Sequence, residues 1–176
     1  MKEEQNDTGT RFSLWLVPDA KANDVLRDII HRLSLEYQSP FFEPHITLAS
    51  SSTHSYESME AITKELATSW QPLELMLTEV TYTPTFYQSL MIRVPAKTGL
   101  LSVRKKVLKG LGVDNGHWIP HVSLLYKELE VEEKKNIINR IGDRFDLAFK
   151  PDKVYLMNTS GRPEKWSPMK LFPLPV

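Results

Sequence analysis

Cysteine is absent from the 176-residue chain. Its absence excludes disulfides, thiol nucleophiles, zinc fingers and iron–sulfur clusters together. Surplus charge is absent too: 22 Lys and Arg stand against 22 Asp and Glu, a formal net charge of zero. That balance argues against a protein that coats duplex DNA or an acidic membrane, whose affinity comes mostly from excess Lys and Arg. It leaves room for one or two phosphates held in a pocket. No apolar stretch approaches the roughly 18 residues of a membrane span. The opening MKEEQNDTGT is polar and acidic, unlike a secretory signal. The expectation is a cytoplasmic protein with residues 1–10 as a flexible terminus. Glycine is scarce, 7 against 12 prolines, and 41% of residues are hydrophobic, which excludes collagen-like and disordered classes. The length fits one domain over 1–176.

Punctuation and periodicity divide the chain into short elements. Residues 12–17 (FSLWLV) are an apolar run stopped by Pro18, the pattern of a buried strand. Asp19 then caps a helix with Val25, Leu26, Ile29, Ile30 and Leu33 at helical spacing. Residues 45–49 resume as a strand, and Ser55 starts a helix striped by Met59, Ile62, Leu66 and Trp70. Strands are expected over 73–82 and 87–94. Thr98 begins a third helix with Leu101, Val107, Leu108 and Leu111 on one side, ended by Gly110 and Gly112. A turn signal at Asp114, Asn115 and Gly116 precedes a strand at 121–126. A helix over 129–141, stopped by Gly142, leads to closing strands at 147–149, 154–157 and 166–172. Gly161 and Pro163 fall in the turn between the last two.

The order of elements repeats: strand, helix, histidine strand, helix, strand. His45 and His121 lie 76 residues apart, as do Leu14 and Leu90 in the first strand of each half. Two copies at so long a period do not make a solenoid. They indicate a duplicated unit, hence an α+β fold of two pseudo-symmetric lobes around a cleft.

The two histidine strands read Pro44-His45-Ile46-Thr47-Leu48 and Pro120-His121-Val122-Ser123-Leu124. A single His-x-Ser/Thr is weak, but a five-residue pattern occurring twice in register exceeds composition. Residues i and i+2 of a strand share a face, so each histidine points with its hydroxyl residue and away from the core. Two imidazoles can divide acid and base work near neutral pH. Two hydroxyls can hold the non-bridging oxygens of a phosphate. The set suits metal-free opening of a cyclic phosphodiester, with His121 as base and His45 as acid, although pseudo-symmetry leaves that order open.

Other uses of these residues are less well placed. His117 and His121 have the i, i+4 spacing of a zinc pair on a helix, but Pro120 between them argues against a helix there. Thr47 or Ser123 as a covalent nucleophile is disfavoured because each lies beside its own histidine, better set to share a ligand. Phe42, Phe86, Tyr87, Trp118 and Tyr126 sit near strand ends or loops beside the motifs, where aromatic rings can stack on a nucleobase. Trp15 reads as core. Gln88 and Ser89 read as solvent-facing, and Arg104-Lys105-Lys106 as a solvated helix face. His31 and His54 receive no role.

The doubled H-x-[T/S] motif on a duplicated α+β unit resembles the two-histidine phosphoesterase superfamily. Within it, FFEPHITLAS and HWIPHVSLLYKELEVEEKKN, with LWLVPD and EKWSPMKL at the ends, resemble the cyclic phosphodiesterases of plants and fungi. The resemblance implies two lobes, each an antiparallel sheet with helices outside. It implies hydrolysis of ADP-ribose 1″,2″-cyclic phosphate, a tRNA-splicing by-product, and of nucleoside 2′,3′-cyclic phosphates to 2′-phosphates. It maps catalysis onto His45 and His121, phosphate binding onto Thr47 and Ser123, and a pocket wall onto Tyr126. The plant enzymes carry cysteines that this chain lacks, so redox control is not implied. The expected partner is a small cyclic nucleotide acting on a monomer, with no cofactor, metal, membrane or long nucleic acid. The alternatives are an RNA-end or 2′-5′ phosphodiesterase and a non-catalytic nucleotide-binding module.

Overall fold

The computed structural model describes residues 10–113 and 116–175. Most of the expected flexible terminus and the Asp114–Asn115 turn signal lie outside them. In chain order the elements are β1 (Phe12–Val17), α1 (Ala20–Tyr37), β2 (Ile46–Ser51), α2 (Tyr56–Thr68), β3 (Leu75–Thr81) and β4 (Leu90–Arg93). There follow α3 (Thr98–Leu111), β5 (His121–Leu125), α4 (Val131–Ile141), β6 (Arg144–Phe149), β7 (Lys153–Asn158) and β8 (Ser167–Pro173). The strands form two four-stranded sheets, ordered β2-β1-β7-β8 and β5-β4-β3-β6, and every neighbouring pair is antiparallel. No helix among the described residues is long and apolar enough to cross a membrane.

The lobes are not the two halves of the sequence. The first sheet takes the first two and last two strands, and the second takes the middle four. Local closure explains the exchange: β3 follows α2 but pairs with β4, the next strand along, across a short connection. The place beside β1 is then filled by β7. Two helices cross in the same way, α1 packing on β5 and β6 and α3 on β2. The histidine strands β2 and β5 are edge strands of their sheets and lie against each other.

Local chemistry sets the helix ends. Asp19 caps α1, its Oδ1 accepting from the Ala22 amide at 3.1 Å and its Oδ2 from the Lys150 amide at 2.8 Å. Leu26, Ile30 and Leu33 of α1 are buried as expected, whereas Val25 faces solvent at 45% exposure. In α3 Val107, Leu108 and Leu111 are buried as expected, and Leu100 rather than the exposed Leu101 completes the apolar side. Gly112 ends α3 in the left-handed conformation at φ 61°. Gly110 is inside the helix, not at its end: a Cβ there would meet the Ile62 side chain of α2 at 3.1 Å. The missing Cβ lets α2 and α3 approach closely.

Candidate active site

Alternation along β2 and β5 sends Ile46, Leu48, Val122 and Leu124 into the core, each with 0% exposure. His45 and Thr47, and His121 and Ser123, therefore share the opposite faces. Just before each strand a proline biases the preceding residue to extended backbone. The carbonyl of that residue receives a ring nitrogen: His45 Nδ1–H donates to Glu43 at 2.6 Å, and His121 Nδ1–H donates to Ile119 at 2.7 Å. A carbonyl only accepts, so both rings carry their proton on Nδ1 when neutral, leaving Nε2 as the basic nitrogen. The two sites are copies down to their tautomers.

Their surroundings differ. His45 is 5% exposed and lies flat against Trp15, ring centroids 3.5 Å apart, with the Phe42 edge at 6.3 Å. Burial lowers its pKa from 6.5 to about 3, the Glu43 carbonyl opposes that shift, and the charge of His121 lowers it further. His121 is partly exposed, and burial also lowers its pKa against the Ile119 carbonyl. Ser123 Oγ–H donates to the Tyr87 carbonyl at 3.1 Å. Tyr126 is buried and hydrogen-bonded to Ser123, and burial pushes its phenol well above the usual range, so it stays protonated.

Four of the five aromatic residues expected at the pocket gather in one wall. Phe42 stacks on Tyr126 at 3.8 Å, with Phe86 at 6.2 Å and Tyr87 at 5.5 Å from Tyr126. Trp118 is elsewhere. Its Nε1–H donates to the Thr47 carbonyl at 3.2 Å, and the Arg104 guanidinium lies 4.4 Å above its ring. Arg104 also donates to the Leu48 carbonyl. The expected solvated run thus loses its first member, drawn inward by the indole and a strand carbonyl. Ser89, expected to face solvent, has 0% exposure, because the chain entering β4 turns it into the interior.

Two tryptophans complete the wall. Trp15, expected in the core, is buried but on the histidine face: it is the register partner of Thr47, while Leu14 and Leu16 take the core side. Strand alternation with its own neighbours carries that signal. Trp166 stands 5.8 Å from Trp15, 5.8 Å from Tyr87 and 6.0 Å from Tyr126, joining the two lobes. It lies in the loop before β8, where no periodicity marks a face. A cavity of about 530 Å³ adjoins Trp15 and Glu43, and another of about 570 Å³ adjoins Phe86, Tyr87 and Arg162. Among the described residues no three His, Asp or Glu side chains come together as a metal site.

The paired histidine strands lie at the junction of two matched antiparallel sheets, the fold expected of a two-histidine phosphoesterase. A model of the cyclic phosphodiesterase-like protein family matches residues 11–171, and the chain belongs to that family. The cyclic phosphodiesterase of Arabidopsis thaliana is 23% identical over 137 residues, which cover 77% of this chain and 74% of the plant protein. TT0787 of Thermus thermophilus has the same fold, with a TM-score of 0.68 at 14% identity over 93% of this chain and 97% of that one. Escherichia coli LigT complexed with 3′-AMP superposes with a TM-score of 0.66 at 16% identity, over 94% and 98% of the two chains.

Proposed function

We propose that this phosphoesterase opens cyclic phosphodiesters by acid–base catalysis between His45 and His121, without a metal. Its substrates are ADP-ribose 1″,2″-cyclic phosphate, giving the 1″-phosphate, and nucleoside 2′,3′-cyclic phosphates, giving 2′-phosphates. It acts as a cytoplasmic monomer on small nucleotides. The observation that carries the reading is the matched pair of Nδ1 hydrogen bonds, which presents the same nitrogen of both rings for proton transfer. LigT, which shares the fold, has been solved with 3′-AMP, ATP and NADP+, which supports a nucleotide as occupant.

Burial holds His45 neutral, and the charge of His121 adds to that, so one ring can serve as acid while the other serves as base. His121, the more exposed ring, takes the proton first. His45, the more deeply buried one, stays neutral. That order reverses the roles expected from sequence, where pseudo-symmetry leaves them undetermined. In the reaction His45 Nε2 removes a proton from water as its oxygen bonds to phosphorus. The bond from phosphorus to the ribose oxygen breaks on the opposite side, and His121 Nε2–H protonates that oxygen. The phosphate's negative charge raises both histidine pKa values when substrate enters, bringing His45 towards a useful base. Thr47 and Ser123 donate to the non-bridging oxygens, Ser123 by turning its hydroxyl from the Tyr87 carbonyl. Proton exchange with solvent restores the starting state.

The test is to incubate purified protein, in EDTA, with ADP-ribose 1″,2″-cyclic phosphate and with 2′,3′-cyclic AMP, following products by phosphorus NMR. ADP-ribose 1″-phosphate and 2′-AMP are the expected products. Each histidine-to-alanine change should cost about 10²–10⁴-fold in rate. Binding without turnover, or near-full activity in either variant, overturns the reading.

A further inference from the structure

The inner side of α4 runs through positions 134, 137, 138 and 141, the i, i+3, i+4 and i+7 spacing of one helix face. Ile137 is buried, and Ile138 and Ile141 pack against the core. The remaining position, where the pattern asks for another apolar residue, is Lys134, and it is 2% exposed. Burying an amine so deeply costs free energy that an aliphatic side chain of similar reach would not. Among the described residues no carboxylate pairs with it. Its Nζ–H donates instead to the Thr83 carbonyl at 2.9 Å.

Thr83 stands at the base of the connection between β3 and β4. Its amide donates to the Gln88 carbonyl at 3.0 Å, and its hydroxyl donates to the same carbonyl at 3.0 Å. The Thr85 amide donates to the Thr83 hydroxyl at 3.2 Å. These bonds close a small loop whose far side is a single 3₁₀ turn over Phe86–Gln88. They fix the shape of the loop, whereas the bond from α4 fixes its place. That place matters to the site. The Tyr87 carbonyl accepts from Ser123 Oγ–H at 3.1 Å, and the Tyr87 ring meets Tyr126 and Trp166 at 5.5 and 5.8 Å. The carbonyl holds Ser123 in one staggered rotamer, so that only the O–H bond must turn when a phosphate oxygen arrives.

We infer that Lys134 is a positioning residue for the proposed reaction: through Thr83 it holds the 83–89 segment where the Tyr87 carbonyl sets the Ser123 hydroxyl. The inference rests on the reading of Ser123 as a phosphate donor beside His45 and His121. It accounts for a lysine on the core side of α4, where an apolar residue would suit the fold better than the site.

The experiment compares Lys134→Met with the wild type, alone and in a Ser123→Ala background. Methionine fills the same core position without an amine, so Tm should be unchanged or higher. Nonetheless kcat/KM for 2′,3′-cyclic AMP should fall about tenfold, the effect of a misplaced donor. In the Ser123→Ala background the same change should cost less than about threefold, because the hydroxyl that the loop sets is gone. Amide hydrogen exchange over residues 83–89 should quicken about tenfold in Lys134→Met, with that of β1 and α1 unchanged. Should Lys134→Met melt early, Lys134→Gln, which keeps a donor on a shorter chain, carries the same cycle. Wild-type activity, equal losses with and without the Ser123 hydroxyl, or unchanged exchange over 83–89 overturns the inference. If the wild type leaves 2′,3′-cyclic AMP intact, the catalytic reading fails while hydrogen exchange still judges whether Lys134 places the loop.

Discussion

Trp15 lies flat on His45, with ring centroids 3.5 Å apart and planes 5° from parallel. The position that the 76-residue offset relates to it on β4 is Met91, which gives His121 no aromatic face to rest on. One tryptophan thus separates two otherwise matched histidines, by taking one face of His45 out of water.

Replacing Trp15 tests that account. Trp15→Ala should raise the His45 pKa from about 3 towards 6.5, because burial is the largest cause of its depression. The acidic limb of kcat/KM, which reports the base in the free enzyme, should move to higher pH with it. The deletion should also cost about 3–5 kcal/mol of stability. Imidazole proton NMR follows the titration directly. A His45 resonance that titrates as in the wild type would show that the indole does not set the value.

The same depression makes the fold sensitive to acid. Unfolded His45 takes up a proton near pH 6.5, while folded His45 resists it down to about pH 3. The unfolded state binds more protons in that window, so stability is complete above pH 6.5 and falls as pH drops towards 3. Between about pH 7 and pH 4 the loss from this group should be roughly 3 kcal/mol. Urea denaturation at both values should show a smaller difference for His45→Gln than for the wild type. Equal differences in the two proteins would refute a buried neutral His45.

Much of this site is legible in the sequence itself, and the reason is the period of two. Pro-His-apolar-hydroxyl-Leu, occurring twice, sets both the face of each histidine and the kinship of the two strands, and β2 and β5 obey it. What periodicity does not encode is which strand lies beside which. The pairing of β3 with β4, and of β7 with β1, redistributes the sequence halves between the lobes. The same limit hides Trp166, which reaches Trp15 and Tyr87 only because β7 and β8 return to the first sheet. The solvent position expected for Arg104 fails for a related reason. Its charged neighbours suggest water, but the Leu48 carbonyl that it bonds lies far along the chain and meets it only when α3 packs on β2.

The division of labour between the histidines is open to a leaving-group test. A cyclic phosphate ester of catechol releases an aryl oxygen that needs little protonation, so an acid catalyst matters less for it. His121→Ala should then lose far less activity on the aryl ester than on 2′,3′-cyclic AMP. His45→Ala should lose about 10²–10⁴-fold on both. The opposite pattern would restore the order expected from sequence, with His45 as the acid.

Trp118 holds Thr47 through the chain, not through its hydroxyl. The indole Nε1–H is bonded to the Thr47 carbonyl, and Arg104 rests on the ring while bonding the next carbonyl of the same strand, that of Leu48. Trp118→Phe keeps a ring for Arg104 but removes the N–H, so the edge of β2 should shift and carry the Thr47 hydroxyl with it. Small misplacements of a phosphate donor are expensive, and kcat should fall on the order of tenfold. Arg104→Met combined with Trp118→Ala in a double-mutant cycle should give a coupling of about 0.5–2 kcal/mol in stability, the range of a cation resting on a partly buried indole. Because Thr47→Val removes the hydroxyl whose position the clamp sets, Trp118→Phe should add little to its kinetic loss. Additive losses would instead mean that Trp118 contributes to catalysis by a route independent of Thr47.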